Sequence, residues 1–252
     1  PMRNYTYLTS EKVPYFTITY CLSTHSIPLP QWYYDRDGQW SDWSEQWATT
    51  IHENSRQAKA VFKGAFRRSV LQYSNVSKGL TFVNITKENW RLYGRTKLLA
   101  LAQERPDLLD VALFASNKED RKFLDSIIPS IEVQRLSISE QASIFKYAIS
   151  VEGSCGWADR VKHIFGSGMV PILQEAPCNE FFWPLLNPQI HYVSLDNDLG
   201  NLVKFIKDLR SGGIDEKSIL INARKFSETF LNQSFWEQYF FAALRRYVDL
   251  CP

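Results

Sequence analysis

Residues 147–173 read YAISVEGSCGWADRVKHIFGSGMVPIL, and the order of elements in this stretch decides the fold. Tyr147 to Val151 is a short apolar, partly β-branched run that stops at Gly153, the pattern of a buried strand. The loop Glu152-Gly153-Ser154-Cys155-Gly156-Trp157 then leads into a predicted helix over Ala158 to Phe165, closed by Gly166 and Gly168. Met169 to Leu173 is the next strand. A strand, a helix and a second strand in so short a span imply two parallel strands joined by a right-handed crossover.

The alternation extends both ways. Towards the C-terminus we expect a helix over Asn179 to Leu186 and a strand over His191 to Leu195. Leu199, Leu202, Val203, Ile206 and Leu209 then form one apolar helical face, closed by Gly212-Gly213. Towards the N-terminus, Ser139 is expected to cap a helix through Lys146 with Glu140 in its first turn. Val111 to Ala115 reads as a strand, Arg95 to Gln103 as a helix ending before Pro106, and Ala60-Val61-Phe62 as a strand ending at Gly64 and followed by a long loop. This is an α/β pattern: a parallel sheet with helices on both faces, a Rossmann-like unit. Phe235, Trp236, Tyr239, Phe240, Ala243, Leu244 and Tyr247 keep helical spacing, so a last amphipathic helix packs on the body with its aromatics as core.

Residues 1–56 are irregular, with a β-rich piece over Tyr15 to Tyr20, then Pro28, Pro30 and Trp32, Trp40, Trp43 and Trp47, and read as part of something larger. The expected organisation is a remnant of a second domain over 1–56, the Rossmann-like domain over 57–233, and a helix packing back over 234–252. At about 150 residues per domain, 252 residues correspond to roughly 1.7 domains. A 44% hydrophobic and 22% charged composition supports a packed core, and no apolar run is long enough to span a membrane as a helix. A net charge of +2 excludes a dedicated duplex-DNA binder, so no nucleic-acid partner is expected and any basic site is local.

Cys21, Cys155, Cys178 and Cys251 lack zinc-ligand spacing; they allow two disulfides in any of three pairings, or four buried thiols. Sequons at Asn4, Asn75, Asn84 and Asn232 lean towards a secretory lumen.

Ligands of such sheets bind beyond the carboxyl ends of the strands. There Gly153 and Ser154 allow close backbone approach to a helix N-terminus, and Arg160 adds a fixed cation, a combination suited to a diphosphate. The alternative is a tight turn with a solvated basic face. A second cluster, Lys63, Gly64, Arg67 and Arg68, follows the strand at Val61, and Arg95 opens the next helix. If that strand is parallel to the others, these cations face the same crevice. Asp35-Arg36-Asp37 precedes Gly38 in a polar turn and is a candidate Mg²⁺ or Mn²⁺ site. In Asp196-Asn197-Asp198, either Asp is expected to cap the following helix. Glu180, at the start of its expected helix, suits the two hydroxyls of a ribose or the helix dipole. No G-x-S-x-G, H-E-x-x-H or kinase loop set is present, and His25, His52, His163 and His191 are scattered.

In order along the chain, Ala60-Val61-Phe62-Lys63-Gly64, Gly94-Arg95, Pro106-Asp107-Leu108-Leu109-Asp110, Lys146-Tyr147 through Glu152-Gly153, Arg160-Val161-Lys162-His163-Ile164-Phe165, Glu180-Phe181-Phe182-Trp183-Pro184-Leu185-Leu186, His191-Tyr192-Val193 and Asp198-Leu199 resemble the Rumi-like protein O-glucosyltransferases and fungal capsule xylosyltransferases over about residues 13–250. The resemblance implies a GT-B-like architecture and metal-independent, inverting transfer of glucose or xylose from a UDP-sugar to a protein or glycan hydroxyl. No cofactor beyond that donor substrate is implied, and the compartment would be the endoplasmic reticulum or Golgi. It assigns donor binding to Lys63, Gly64, Arg67, Arg95, Gly153, Ser154, Arg160 and Glu180. An inserted residue leaves Arg67 and Arg68 as alternatives at one position. The family's general base is an Asp that, counting back from Val13-Pro14-Tyr15-Phe16, falls at or before Pro1, so no catalytic residue is assigned and the chain is read as a fragment lacking its base. Other expectations stay open: a non-catalytic nucleotide-sugar or glycan-binding module, and a metal-dependent transferase using Asp35 and Asp37.

Overall fold

The strands of the α/β alternation assemble into a five-stranded, fully parallel sheet. The computed structural model describes residues 15–17, 19–21, 26–30, 55–74, 79–128, 135–153 and 160–250. The sheet consists of β4 (Gln57–Ala65), β7 (Leu109–Phe114), β8 (Phe145–Ser150), β9 (Val170–Gln174) and β11 (Val193–Leu195), in spatial order β11-β9-β8-β4-β7. β4 pairs with β7 on one side and β8 on the other, so the winding reverses between β4 and β8. Such a reversal opens a crevice beyond the carboxyl ends of those two strands.

Strand alternation divides the core. Phe62, Tyr147, Ile149 and Ile172 face one side, where α1 (Gly94–Glu104) and α5 (Leu202–Ser211) cover them; Val61 and Ala148 face the other, with α3 (Ile138–Ile144) and α4 (Val161–Gly166). A third apolar cluster joins Phe165, Phe181, Phe182, Phe226 and Trp236, binding α6 (Glu216–Phe230) and α7 (Gln233–Leu250) to the body. In α7, Trp236 and Ala243 are buried as expected, whereas Phe240 is 39% exposed, because the buried stripe is narrower than the aromatic one.

Several boundaries differ from the sequence reading. The expected long loop after Gly64 holds an antiparallel hairpin, β5 (Ser69–Ser74) and β6 (Gly79–Asn84), in which Val70 and Leu71 are buried. Ser137, not Ser139, caps α3: its hydroxyl accepts the Glu140 N–H and the Glu140 carboxylate accepts the Ser137 N–H, a complete capping box. β8 consequently starts at Phe145. α2 (Lys118–Ile127) lies between β7 and α3.

The expected helix over 179–186 is absent. Cys178–Glu180 is instead a strand, β10, paired antiparallel with β2 (Thr19–Cys21), and a single tight turn follows at Trp183–Leu185. Backbone ladder bonds and the Cys21–Cys178 disulfide hold the segment extended, and Pro184 lacks the N–H an α-helix from 179 would need. β1 (Tyr15–Thr17) and β3 (Ser26–Pro28) form a separate parallel pair, and the Phe16 ring lies 4.6 Å from that of Tyr247 on α7. Cys155, Cys251, Trp32, Trp40, Trp43, Trp47, Asn4 and Asn75 lie outside the described residues.

Candidate functional site

Two arginines close the crevice at the reversal point, and both act on backbone carbonyls. Arg95, in the first turn of α1, donates to Ala65 O at the end of β4 (2.9 Å) and to Glu152 O just past β8 (3.1 Å). The helix starts at Gly94 with φ +49°, where a Cβ would also sit 2.7 Å from Val70, so glycine is required to bring Arg95 to this point. Burial is the main reason the Arg95 pKa is pushed down to about 10; the neighbouring Arg67 charge lowers it further and Glu152 opposes the shift. Arg95 is thus a buried staple between two strands.

Arg160 precedes α4 and lies over the Phe62 ring, 4.0 Å from its centroid, donating to Lys63 O at 2.5 Å. A Cβ on Gly64 would stand 2.8 Å from its Nη2 and 2.9 Å from the Phe62 ring, so Gly64 makes room for the guanidinium. Arg67 is exposed and close enough to Arg95 to depress its pKa, while Arg68 turns away to Asp120 on α2 (2.7 Å). Of the two alternatives at this position, Arg67 is the one beside the crevice.

The remaining expected residues are distributed differently. The Lys63 ammonium pairs with Asp110, the second residue of β7, towards the opposite end of that strand from the crevice. Alternation along β4 sends Lys63 to the face opposite Phe62 and Gly64, so it is not one of the crevice cations. Glu180 lies on β10 and not at a helix start; its carboxylate is 3.7 Å from Lys162 Nζ, and both are almost fully buried. Burial pushes the Lys162 pKa down to about 8, with Glu180 opposing the shift. Gly153 is buried beside the crevice; Ser154, Asp35 and Asp37 lie outside the described residues. Asn201 occupies the N-cap position of α5, while Asp198 accepts the Gly200 N–H in the preceding turn, so neither Asp196 nor Asp198 caps that helix. Among the described residues, no three His, Cys, Asp or Glu side chains are grouped to hold a metal, and no helix is long and apolar enough to cross a membrane.

The sequence reading gave Glu152 no separate role in the site. Only 2% exposed, it lies two residues past the end of β8, and burial pushes its carboxyl up to about 8 against the opposing charge of Arg95. Its N–H is taken by Gln174 Oε1 (2.9 Å), but neither carboxyl oxygen has a hydrogen-bond partner among the described residues. The available signal was a lone acid directly after a buried apolar strand. Glu152 lines a pocket at the ends of β8 and β9 with Ser150, Gln174, Asn179 and Glu180, walled by Leu173, Phe182 and Trp183.

A crevice at the winding reversal of a parallel sheet, rimmed by Arg67 and Arg160, has the organisation of a nucleotide-binding α/β domain. The sequence profile described as Glycosyl transferase family 90 matches residues 2–251, and the chain belongs to that family. Mouse protein O-glucosyltransferase 3 is 23% identical over 159 residues, covering 62% of this chain and 30% of its own length. Bovine protein O-glucosyltransferase 1 is 24% identical over 198 residues, covering 77% of this chain and 47% of its own. The chain therefore spans less than half of either relative. Among solved structures, the pneumococcal O-GlcNAc transferase GtfA in complex with UDP and GlcNAc superimposes on 78% of this chain and 37% of its own, with 13% identity and a TM-score of 0.44.

Proposed function

We propose that this chain is the donor-binding part of a UDP-sugar-dependent glycosyltransferase that moves glucose or xylose, with inversion, to a hydroxyl of a protein or glycan acceptor. The observation that carries the reading is the crevice between β4 and β8, with Arg67 and Arg160 at its rim, in a chain of glycosyl transferase family 90. In the transfer, the acceptor oxygen bonds to the sugar's anomeric carbon as the bond from that carbon to the phosphate oxygen breaks. UDP leaves with the electron pair and the acceptor proton passes to a general base. Arg67 and Arg160 stabilise the charge developing on the diphosphate, which replaces the need for a metal ion. Gly64 keeps the approach to Arg160 open, and Arg95 fixes the strand ends that frame the site. The Cys21–Cys178 disulfide and the resemblance to Rumi-like enzymes support a secretory-pathway lumen.

Thermal unfolding with UDP tests this reading. A ligand that binds only the folded state stabilises it by RT ln(1 + [L]/Kd), about 2.7 kcal/mol at one hundred times Kd. UDP should raise the midpoint in the presence of EDTA as well as without it. A folded sample whose midpoint is unmoved by UDP and UDP-sugars would rule the reading out, and a shift abolished by EDTA would return the metal-dependent alternative.

A further inference from the structure

Two sequons, Asn84-Ile85-Thr86 and Asn232-Gln233-Ser234, fall within the described residues, and their carboxamides are used in opposite ways. Asn232 joins α6 to α7: its Nδ2 donates to Glu228 O (2.8 Å) and Thr229 O (3.0 Å), and its Oδ1 accepts the Phe235 N–H (2.9 Å). A sugar on Nδ2 would displace one of those donors from a carbonyl at a helix end. Asn84, the last residue of β6, is exposed, and its carboxamide has no hydrogen-bond partner among the described residues. Its backbone is held instead, with the carbonyl accepting from Asn89 Nδ2 at 2.9 Å. The Thr86 N–H donates to Asn89 Oδ1 (2.8 Å) and the Thr86 hydroxyl accepts the Glu88 N–H (3.3 Å), so the sequon ends in a fixed, exposed turn. Val83 packs on the core and Ile85 is buried, so alternation turns Phe82 and Asn84 to the other face of the strand. There the Phe82 ring is 54% exposed. Two residues of strand separate the two side chains by about 7 Å, within reach of a pyranose attached to Asn84 and laid back along β6. The apolar C–H face of that sugar would cover a ring otherwise open to water.

We infer that Asn84 carries an N-linked glycan whose first sugar lies on the Phe82 ring, and that Asn232 stays bare. In the modification the Asn84 amide nitrogen bonds to the anomeric carbon of a lipid-diphosphate-linked oligosaccharide. The bond from that carbon to the phosphate oxygen breaks, the lipid diphosphate leaves with the electron pair, and the amide proton passes to a base of the modifying enzyme. The inference rests on the luminal compartment given under the proposed function, and not on the transfer reaction itself.

Peptide mapping of the protein isolated from the cells that make it, after release with a peptide-N-glycosidase in heavy-oxygen water, tests this, because release leaves a labelled Asp at each occupied Asn. Label is expected at position 84 and not at 232. The 252-residue chain, led into the endoplasmic reticulum by an added signal peptide, should be modified at the same place. Asn84→Gln should lose that glycan, and so should Thr86→Ala, although it leaves the acceptor Asn. The glycan-bearing chain should unfold about 2 °C above Asn84→Gln, and Phe82→Ala introduced into both should remove the difference. An equal difference with and without the ring overturns the seating of the sugar on Phe82, and label at 232 overturns the reservation of that carboxamide for the helices. Bare Asn84 in protein whose Cys21–Cys178 bond is formed overturns the inference alone. Bare Asn84 with both cysteines as thiols overturns the compartment with it. A UDP-dependent rise in the unfolding midpoint in either sample leaves donor binding standing.

Discussion

Glu152 and His163 stand within the same hundred-residue stretch and bias folding in opposite directions with pH. Glu152 is held up at about 8 by burial, so the folded chain keeps a proton that the unfolded chain releases near 4.5. Its contribution is fully present below pH 4.5 and is lost as pH rises towards 8. Burial, then the Lys162 and Arg160 charges, push His163 down to about 3, so only the unfolded chain binds its proton below about 6.5. Its contribution is lost as pH falls from 6.5 towards 3. Each slope is about 1.4 kcal/mol per pH unit. From 4.5 to 6.5 the two oppose each other; from 6.5 to 8 Glu152 acts alone and stability declines. Urea unfolding between pH 5 and 8 should show a plateau and then a fall, and Glu152→Gln should abolish the fall. Parallel profiles for the native chain and the variant between 6.5 and 8 would remove the buried carboxyl from the account. At this scale the sequence placed glycines and arginines near the crevice because their types are distinctive. It could not separate Lys63 and Arg68 from Arg67, since which cation finds a carboxylate partner depends on Asp110 and Asp120, which are distant in the chain.

Among the elements, those fixed by local periodicity were legible and those fixed by long-range pairing were not. β4, β7, β9 and α5 follow from apolar patterning, and α5 ends where Gly212 takes a left-handed φ of +77°. β10 was misread as helix because Cys178, Asn179 and Glu180 become a strand only through pairing with residues 19–21. The same pairing makes the Cys21–Cys178 bond a clamp on the element that carries Asn179 and Glu180. Closing a loop with a sequence separation of 157 constrains the unfolded chain by an amount on the order of 5 kcal/mol, with native removals nearer 2–5. Cys21→Ser with Cys178→Ser should therefore lower unfolding stability by about 3–5 kcal/mol in denaturant titration, and weaken donor binding because β10 loses its tether. A reductant should have the same effect on the native chain and none on the double variant. A stability change below about 1 kcal/mol, on this scale, would show that the ladder bonds and apolar contacts hold β10 without the bond.

For the molecule as a whole, a net charge of +2 provides little long-range attraction for a nucleotide diphosphate, so under the proposed function placement of the cations has to do what their number does not. The topology supplies that placement. The winding reversal sets the carboxyl ends of β4 and β8 side by side, and Arg67 and Arg160 come from the segments that follow those two strands. The opposite end of the strands offers a control. Glu216 at the start of α6 bonds to Lys146, the second residue of β8, at 3.3 Å, which places the adjacent exposed Lys217 at the far end of that strand. Six residues of strand from Lys146 to Glu152 span about 20 Å, more than twice the Debye length of about 8 Å at physiological salt. Lys217→Glu should therefore leave UDP affinity within about twofold at that salt, whereas Arg67→Glu, an equal change in net charge at the crevice, should lower it by about tenfold or more. Titration at two salt concentrations sharpens the contrast: the deficit of Arg67→Glu should narrow as salt rises, since Arg67 is exposed and screened. Equal losses from the two variants would mean that overall charge, not the crevice formed at the reversal, governs capture of the nucleotide.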